Sequence, residues 1–297
     1  MTDIPAPSLH PATAVGPVRL TVADLAATTA FYERALGLRV LARDEGTASL
    51  GVPGEAPLVE LIGRADAAPR APRSSGLFHL ALLVPSREEL ARAIRRVALA
   101  RWPIAGASDH LVSEALYLDD PEGNGIEIYR DRPREEWRRA AGGEIEMATL
   151  PMDVEGVLAT LPQDAGDDGM PAGTRMGHVH LQVGDVAAGE AFYHGVLGFD
   201  VVVRGYPGAL FLSAGGYHHH IGLNTWASAG GPPADPARRG LRSFTILLPG
   251  AGELARVRAR VEAAGAPSRP AEGDPDALVV TDPFGNELLL RVVPAPA

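Results

Sequence analysis

The chain of 297 residues contains no cysteine and no lysine, so all 27 of its basic side chains are arginines. The absence of cysteine excludes disulfide bonds, zinc–thiolate centres and a thiol nucleophile. No run of 18 apolar residues occurs, and the Pro- and Ala-rich start lacks the apolar stretch of a signal peptide, so we expect a cytoplasmic protein without membrane segments. The net charge of −10, with scattered arginines, argues against a nucleic-acid surface.

The sequence does contain a duplication. The segment VRLTVADL (18–25) returns as VHLQVGDV (179–186), and FYERALGLRVL (31–41) returns as FYHGVLGFDVV (192–202). A third pair closes the two copies, DPEGNGIEIYR at 120–130 and DPFGNELLLR at 282–291. Self-similarity of this kind predicts repeated structural units.

Each copy itself divides into two modules of one order, a strand, a helix and three further strands. In the first module VRLTV (18–22) alternates like a half-buried strand, Asp24 is a good N-cap, and apolar residues follow at helical spacing up to Gly37. Similar strands open the other modules at 78–84, 177–183 and 243–249. We therefore predict an α+β protein of four βαβββ modules, with two-module domains at 16–132 and 175–293. The linker at 133–174 is long enough to let modules pair in more than one way.

Modules with FY in the helix, LG after it and DPxGN before the last strand resemble the vicinal oxygen chelate superfamily. The resemblance implies paired modules that form two half-barrels, with metal ligands at the start of strand one and the middle of strand four. The strand-one positions fall, in module order, on Pro17, His79, His178 and Ser243. The strand-four positions fall on Glu60, Glu127, the stretch 218–222 and Leu289.

Two pairings of modules follow from these positions. Pairing the middle modules would assemble His79, Glu127 and His178, a two-histidine, one-carboxylate set that suits Fe(II), with Mn(II) as the alternative. Pairing modules three and four would instead use His178, His220 and Glu287. Strand alternation places His178 and His180 toward the cavity, and in HHHIGLN (218–224) it places His218 and His220 there and His219 on the helix side.

The chain most resembles the extradiol catechol dioxygenases of this superfamily. Their glutamate-bearing module carries an Asp-His stretch and a tyrosine, matched here by Asp109, His110 and Tyr117, with the tyrosine ten residues before Glu127. The resemblance implies ring cleavage of a catechol or hydroquinone by dioxygen, with His220 as acid/base, His218 as second choice, and Tyr117 and His110 assisting. The partners expected are a small aromatic substrate and dioxygen, without nucleic acid or membrane; a homo-oligomer is left open.

Two other functions are compatible with the fold. A glyoxalase-like isomerase or lyase would need a strong base, typically a strand-four glutamate in both paired modules. A metal-free binding protein of the drug-resistance type would not need His79, Glu127 and His178 together on cavity faces.

Overall fold

The computed structural model describes residues 8–166 and 168–294. Residues 1–7, which belong to the stretch that lacks a signal-peptide pattern, lie outside that part. Among the described residues no helix is long and apolar enough to cross a membrane.

The four modules have the predicted order of elements. The first two contain β1 (Ala14–Val22), α1 (Leu25–Arg34), β2 (Arg39–Arg43), β3 (Thr47–Gly51), β4 (Pro57–Gly63), β5 (Gly76–Leu83), α2 (Arg87–Leu99), β6 (Gly106–Asp109), β7 (Ser113–Asp119) and β8 (Gly125–Asp131). The linker forms a 3₁₀ turn (Arg134–Glu136), β9 (Leu150–Pro151) and α3 (Val154–Leu158). The last two modules contain β10 (Arg175–Gln182), α4 (Val186–Glu190), β11 (Asp200–Val203), β12 (Ala209–Ser213), β13 (Ile221–Asn224), β14 (Gly240–Pro249), α5 (Ala251–Ala263), β15 (Ser268–Ala271), β16 (Asp274–Thr281) and β17 (Glu287–Val293).

Local sequence accounts for the helix ends. The Asp24 carboxylate accepts from the Ala27 amide and so caps α1, as predicted, and Asp185 caps α4 in the same way. The helix that begins with α4 continues as a π-helical stretch over Ala191–Leu197 and ends at Gly198, whose φ of 94° suits glycine.

The strands form two curved sheets, and each sheet takes one module from each half of the sequence. The eight-stranded sheet has the order β15-β16-β17-β14-β1-β4-β3-β2, which joins modules four and one. The nine-stranded sheet has the order β11-β12-β13-β10-β5-β8-β7-β6-β9, which joins modules three and two. The middle modules therefore pair with each other. The division into domains at 16–132 and 175–293 stays a prediction, because both segments contribute to both sheets.

The repeated motifs connect the two sheets. In each DPxGN turn the aspartate accepts from the side chain and backbone of the asparagine, Asp120 from Asn124 and Asp282 from Asn286. The Tyr193 hydroxyl, from the FY motif of module three, donates to the buried Asp282 in module four at 2.8 Å. The motifs are thus structural: they fasten one module's helix to its neighbour's turn, while one continuous apolar core fills the space around them.

Candidate metal centre and active site

Three adjacent strands at the centre of the nine-stranded sheet bring three ligand-type side chains together. His79 on β5, His178 on β10 and Glu127 on β8 are all buried. Glu127 Oε2 lies 3.0 Å from Nε2 of each histidine, and the two Nε2 atoms are 3.3 Å apart. The set predicted from the pairing of the middle modules therefore converges on one point.

These separations fit a divalent ion. Two ligand bonds of about 2.1 Å that meet at a right angle span about 3.0 Å, so the three atoms match adjacent corners of an octahedron. Burial alone would raise the pKa of Glu127, but His178 and His79 hold it well below its usual range. Burial lowers the pKa of His178 to about 4. A carboxylate beside neutral imidazole is the protonation state that binds a divalent cation.

The counterpart of Glu127 in module three is a glycine. Ala81, two residues after His79, pairs in register with Glu127, and His180, two residues after His178, pairs in the same way with Gly222. A Cβ at Gly222 would come within 2.8 Å of the His180 ring, so the imidazole occupies the space of a second strand-four side chain. The Asn224 amide donates to His180 Nε2 at 3.0 Å, because its carbonyl oxygen already accepts from the Trp226 amide. The His180 proton therefore lies on Nδ1.

The three ligand-type residues adjoin a cavity of about 590 Å³, and two of them, His79 and Glu127, line it. Its wall is largely apolar and aromatic, and includes Phe78, Leu118, Tyr206, Phe211 and Trp226. By strand alternation alone Phe78, next to His79, would face the helix side of its strand. It reaches the cavity because the β5–β10 register skips it between the His79 and Leu77 pairs.

The linker supplies part of this wall. Met147, Ala148 and Thr149 line the cavity, and Thr149 Oγ1 is 2.7 Å from the Tyr206 hydroxyl. The following strand β9 then pairs with β6 at the sheet edge. Sequence reasoning treated this segment as a connection alone, and its lack of periodicity gave no signal of a role in the site.

His110 and Tyr117, which the resemblance implies assist catalysis, both line the cavity. His110 Nδ1 is 2.6 Å from the Ala148 carbonyl and must donate to it, so Nε2 accepts from the Tyr117 hydroxyl at 2.7 Å. Burial and the charge of Glu127 raise the pKa of Tyr117 well above 10. The phenol therefore stays protonated.

The three consecutive histidines are arranged differently from the expectation. His219, which was assigned to the helix side, lines the cavity, and its ring centroid is 4.0 Å from that of His178. His218 instead bonds Asp131, with Nε2 2.9 Å from the carboxylate. The reason is that β13 begins only at Ile221, so strand alternation does not extend back over the bend that holds these residues.

Hydrogen bonds link the side chains of this segment. When His218 is neutral and donates its Nε2 proton to Asp131, its Nδ1 is an acceptor and receives the proton of His219 Nδ1 at 2.9 Å. His219 Nε2 is then left with a free lone pair. Burial lowers the pKa of His219 well below its usual value, so this imidazole is neutral.

The remaining two predicted residues lie elsewhere. His220 lines a separate cavity, and its Nδ1 accepts from the Ala214 amide at 3.1 Å. Glu287 belongs to the eight-stranded sheet, where its carboxylate lies 2.9 Å from Arg242 and 3.2 Å from Arg269. The alternative ligand set of His178, His220 and Glu287 is therefore not assembled.

Known proteins share this sequence and fold. The Glyoxalase/Bleomycin resistance protein/Dioxygenase superfamily matches residues 14–128 and 175–290. A catechol-2,3-dioxygenase of Bacillus subtilis (strain 168) is 44% identical over 264 residues, which cover 87% of this chain and 90% of the relative.

Solved structures agree on the fold. A Bacillus subtilis protein provisionally described as a dioxygenase superposes with a TM-score of 0.66 at 14% identity, covering 96% of this chain and 86% of the other. Glyoxalase I from Zea mays superposes with a TM-score of 0.58 at 16% identity, covering 95% and 92%. The chain therefore belongs to the Glyoxalase/Bleomycin resistance protein/Dioxygenase superfamily, with a catechol-2,3-dioxygenase as a relative across most of its length.

Proposed function

We propose that the protein is an iron(II)-dependent extradiol dioxygenase that cleaves the ring of an uncharged catechol. The observation that carries this proposal is the convergence of His79, His178 and Glu127 at 3.0–3.3 Å beside an aromatic cavity. Similarity to a catechol-2,3-dioxygenase over most of the chain supports it. Both atoms of dioxygen enter the product when the bond next to the two hydroxylated carbons breaks, so no external reductant is needed.

His79, His178 and Glu127 would hold the metal. When bound, it supplies a centre at which catechol and dioxygen are oriented and activated together. Two imidazoles and one carboxylate on one face are typical of iron(II) oxygenases, which is why we propose iron in preference to manganese.

His219 is the proposed acid/base residue. Its Nε2 carries a free lone pair, because Asp131 and His218 fix the proton on Nδ1. A neutral imidazole in this state can take the proton of a catechol hydroxyl and return it later in the reaction. His218 thus becomes a positioning residue, and the catalytic role first assigned to His220 moves to His219.

Tyr117 and His180 are the proposed substrate-orienting residues. Tyr117 directs its hydrogen toward His110, so its oxygen is available to accept from a substrate hydroxyl. His180 carries its proton on Nδ1 and lines the same cavity, so it is available to donate. Together they provide one acceptor and one donor for the two catechol oxygens.

The cavity wall indicates the class of catechol. Among the described residues that line it no arginine is present, whereas Asp119 and Glu127 are. A substrate carboxylate would find no cationic partner there and would lose its hydration without compensation. The volume of about 590 Å³ exceeds the needs of one ring, so we propose an uncharged catechol with an apolar substituent.

The two other functions are less well supported. The isomerase would be expected to use a second strand-four glutamate, but that position is Gly222 and the His180 ring covers it. A metal-free binding protein would have no reason to bury two histidines and a glutamate in mutual contact, since a buried charge is costly without compensation.

Reconstitution tests the reaction class. The chain is purified anaerobically, stripped with a chelator and reloaded with Fe(II) or Mn(II), and oxygen uptake and the visible absorbance of ring-opened product are followed with catechol. We expect one oxygen consumed per catechol, with Fe(II) more active than Mn(II). Catechol turnover without oxygen uptake, or no metal bound, would exclude the proposed activity.

A substrate panel tests the class of catechol separately. Catechol, an alkyl-substituted catechol and a carboxylated catechol are compared by kcat/KM with the iron-loaded protein. We expect kcat/KM for the carboxylated compound to be at least about 100-fold lower than for the alkyl compound, because its charge would be buried without a partner. Equal values would contradict the inference from the cavity wall while leaving the dioxygenase assignment intact.

A further inference from the structure

A second cavity of about 190 Å³, called here the Arg175 cavity, lies between the N-terminal segment 11–15, the loop before β13 and the start of β10. Its walls include Thr13, Arg134, Arg175, Tyr217 and His220, and they share no residue with the catalytic cavity. The segment is held in place, since the Leu9 amide donates to the Gly198 carbonyl and the His10 amide to Glu253. The cavity is therefore a defined feature of the fold.

The cavity is positively charged in a chain whose net charge is −10. Arg134 and Arg175 line it, and no Asp or Glu does so among the described residues. The Arg175 side chain makes no hydrogen bond or ion pair with any described residue, while its backbone pairs with Leu83 in the sheet. Arg134 donates to the Gly215 carbonyl and stacks against Trp137 and Tyr217, but has no acidic partner in the same part of the chain. Both arginines are exposed, and no carboxylate that lines the cavity in the described structure neutralises them.

Two uncharged donors belong to residues that line the same cavity. The Ala214 amide donates to His220 Nδ1, so the imidazole proton lies on Nε2, which makes no hydrogen bond within the described structure. The Thr13 hydroxyl is buried and has no partner among the described residues, although the residue is only 2% exposed. A buried hydroxyl without a partner is unfavourable, and a bound acceptor within its reach would satisfy it.

We propose that the Arg175 cavity binds a small oxyanion: inorganic phosphate or sulfate, or a carboxylate of a few carbon atoms. Arginines and the two neutral donors provide several hydrogen bonds to oxygen. The volume admits a ligand of a few non-hydrogen atoms and excludes an aromatic catechol with a substituent. The site is independent of the proposed oxygenase reaction.

Calorimetric titration of the purified chain tests the proposal. Phosphate, sulfate and acetate are compared at constant ionic strength in chloride, and glycerol serves as the uncharged probe. We expect saturable 1:1 binding of at least one anion and none of glycerol. Binding of phosphate and sulfate but not of acetate would identify the ligand as an inorganic anion. Binding of acetate would identify it as a carboxylate. Absence of saturable binding for all three anions would overturn the proposal.

Variants locate the binding. Arg175→Gln should lower the affinity for the anion by at least about tenfold, because a charge-assisted hydrogen bond is lost. Thr13→Val should lower the affinity for the anion several-fold. Arg43→Gln, an exposed arginine at the end of β2 in the eight-stranded sheet, is the control and should stay within twofold. Affinity unchanged in Arg175→Gln would place the anion elsewhere, at the metal centre for example, and would contradict the assignment. Thr13→Val provides the same test if Arg175→Gln fails to fold.

Discussion

The two sheets share one topology, but within residues 8–166 and 168–294 only the nine-stranded sheet carries a candidate metal centre. In the eight-stranded sheet the counterparts of His79 and His178 are Pro17 and Ser243. The counterpart of Glu127 is Glu60, which pairs in register with Arg19 as Glu127 pairs with Ala81. Arg19 binds the Glu60 carboxylate at 2.7 Å. The same strand position therefore holds a ligand in one sheet and a surface ion pair in the other.

The difference shows what makes a carboxylate a ligand here. Glu127 is 3% exposed and its contacts are imidazoles, which leave its charge free for a cation. Glu60 is 28% exposed and Arg19 already neutralises it. The fold supplies the position, and the residues on the neighbouring central strands decide whether a metal site results.

The largest expected effect comes from the two glutamates. Glu127→Gln should remove an anionic ligand, so the metal content should fall below about one tenth of an ion per chain. Turnover should fall by at least about 100-fold. The matched variant Glu60→Gln should keep metal content and turnover within twofold. Metal analysis and oxygen uptake measure both. A metal-free Glu60→Gln chain would place the ion in the eight-stranded sheet and reverse the comparison.

The second expected effect separates His219 from its neighbour. His219→Ala should keep the metal and lose about 100-fold in kcat, because general acid/base catalysis contributes that much or more. His220→Ala should change kcat far less, since His220 lines the other cavity. The two variants are compared for metal content and kcat at saturating catechol. The reverse order of effects would restore the role first assigned to His220.

A smaller effect is expected at Tyr117. Tyr117→Phe removes a hydroxyl that bonds His110, and the loss of one such contact should lower kcat/KM by about three- to tenfold. Tyr206→Phe is the control, because that hydroxyl bonds Thr149 and not His110. Steady-state kinetics of both variants decide the point. Equal kcat/KM for Tyr117→Phe and wild type would make Tyr117 a packing residue.

The smallest effect concerns the ion pair that replaces the ligands. Arg19→Gln should cost less than about 1 kcal/mol in the free energy of unfolding, because the pair is exposed. Glu114→Gln is the buried comparison: its carboxylate is 3% exposed and bonds Arg87 and Arg130, so a cost of roughly 2–3 kcal/mol is expected. Urea denaturation compares the two. A larger loss for Arg19→Gln would mean that its pair supports the sheet as strongly as a buried network.

Much of the fold and the centre of the site could be predicted from the sequence. Duplicated motifs gave the four modules, and the resemblance to the vicinal oxygen chelate superfamily placed its ligand positions on His79, Glu127 and His178. The loss of ligands at Pro17, Ser243 and Leu289 favoured pairing of the middle modules, while the pairing of modules three and four stayed open. These features are local or periodic, so a sequence displays them directly.

The residues that were missed depend on where strands end and how loops pack. His219 was assigned to the wrong side because its strand begins two residues later, at Ile221. Met147 and Thr149 reach the cavity through tertiary packing of an aperiodic linker. Neither a strand's first residue nor a loop's path has a strong sequence signal.

Anomalous diffraction at the iron edge from crystals of the Fe(II)-loaded protein tests the central claim most directly. The account predicts one strong peak per chain, about 2.0–2.3 Å from His79 Nε2, His178 Nε2 and Glu127 Oε2, and no peak near Glu60. A peak in the eight-stranded sheet, or none at the three residues, would contradict it.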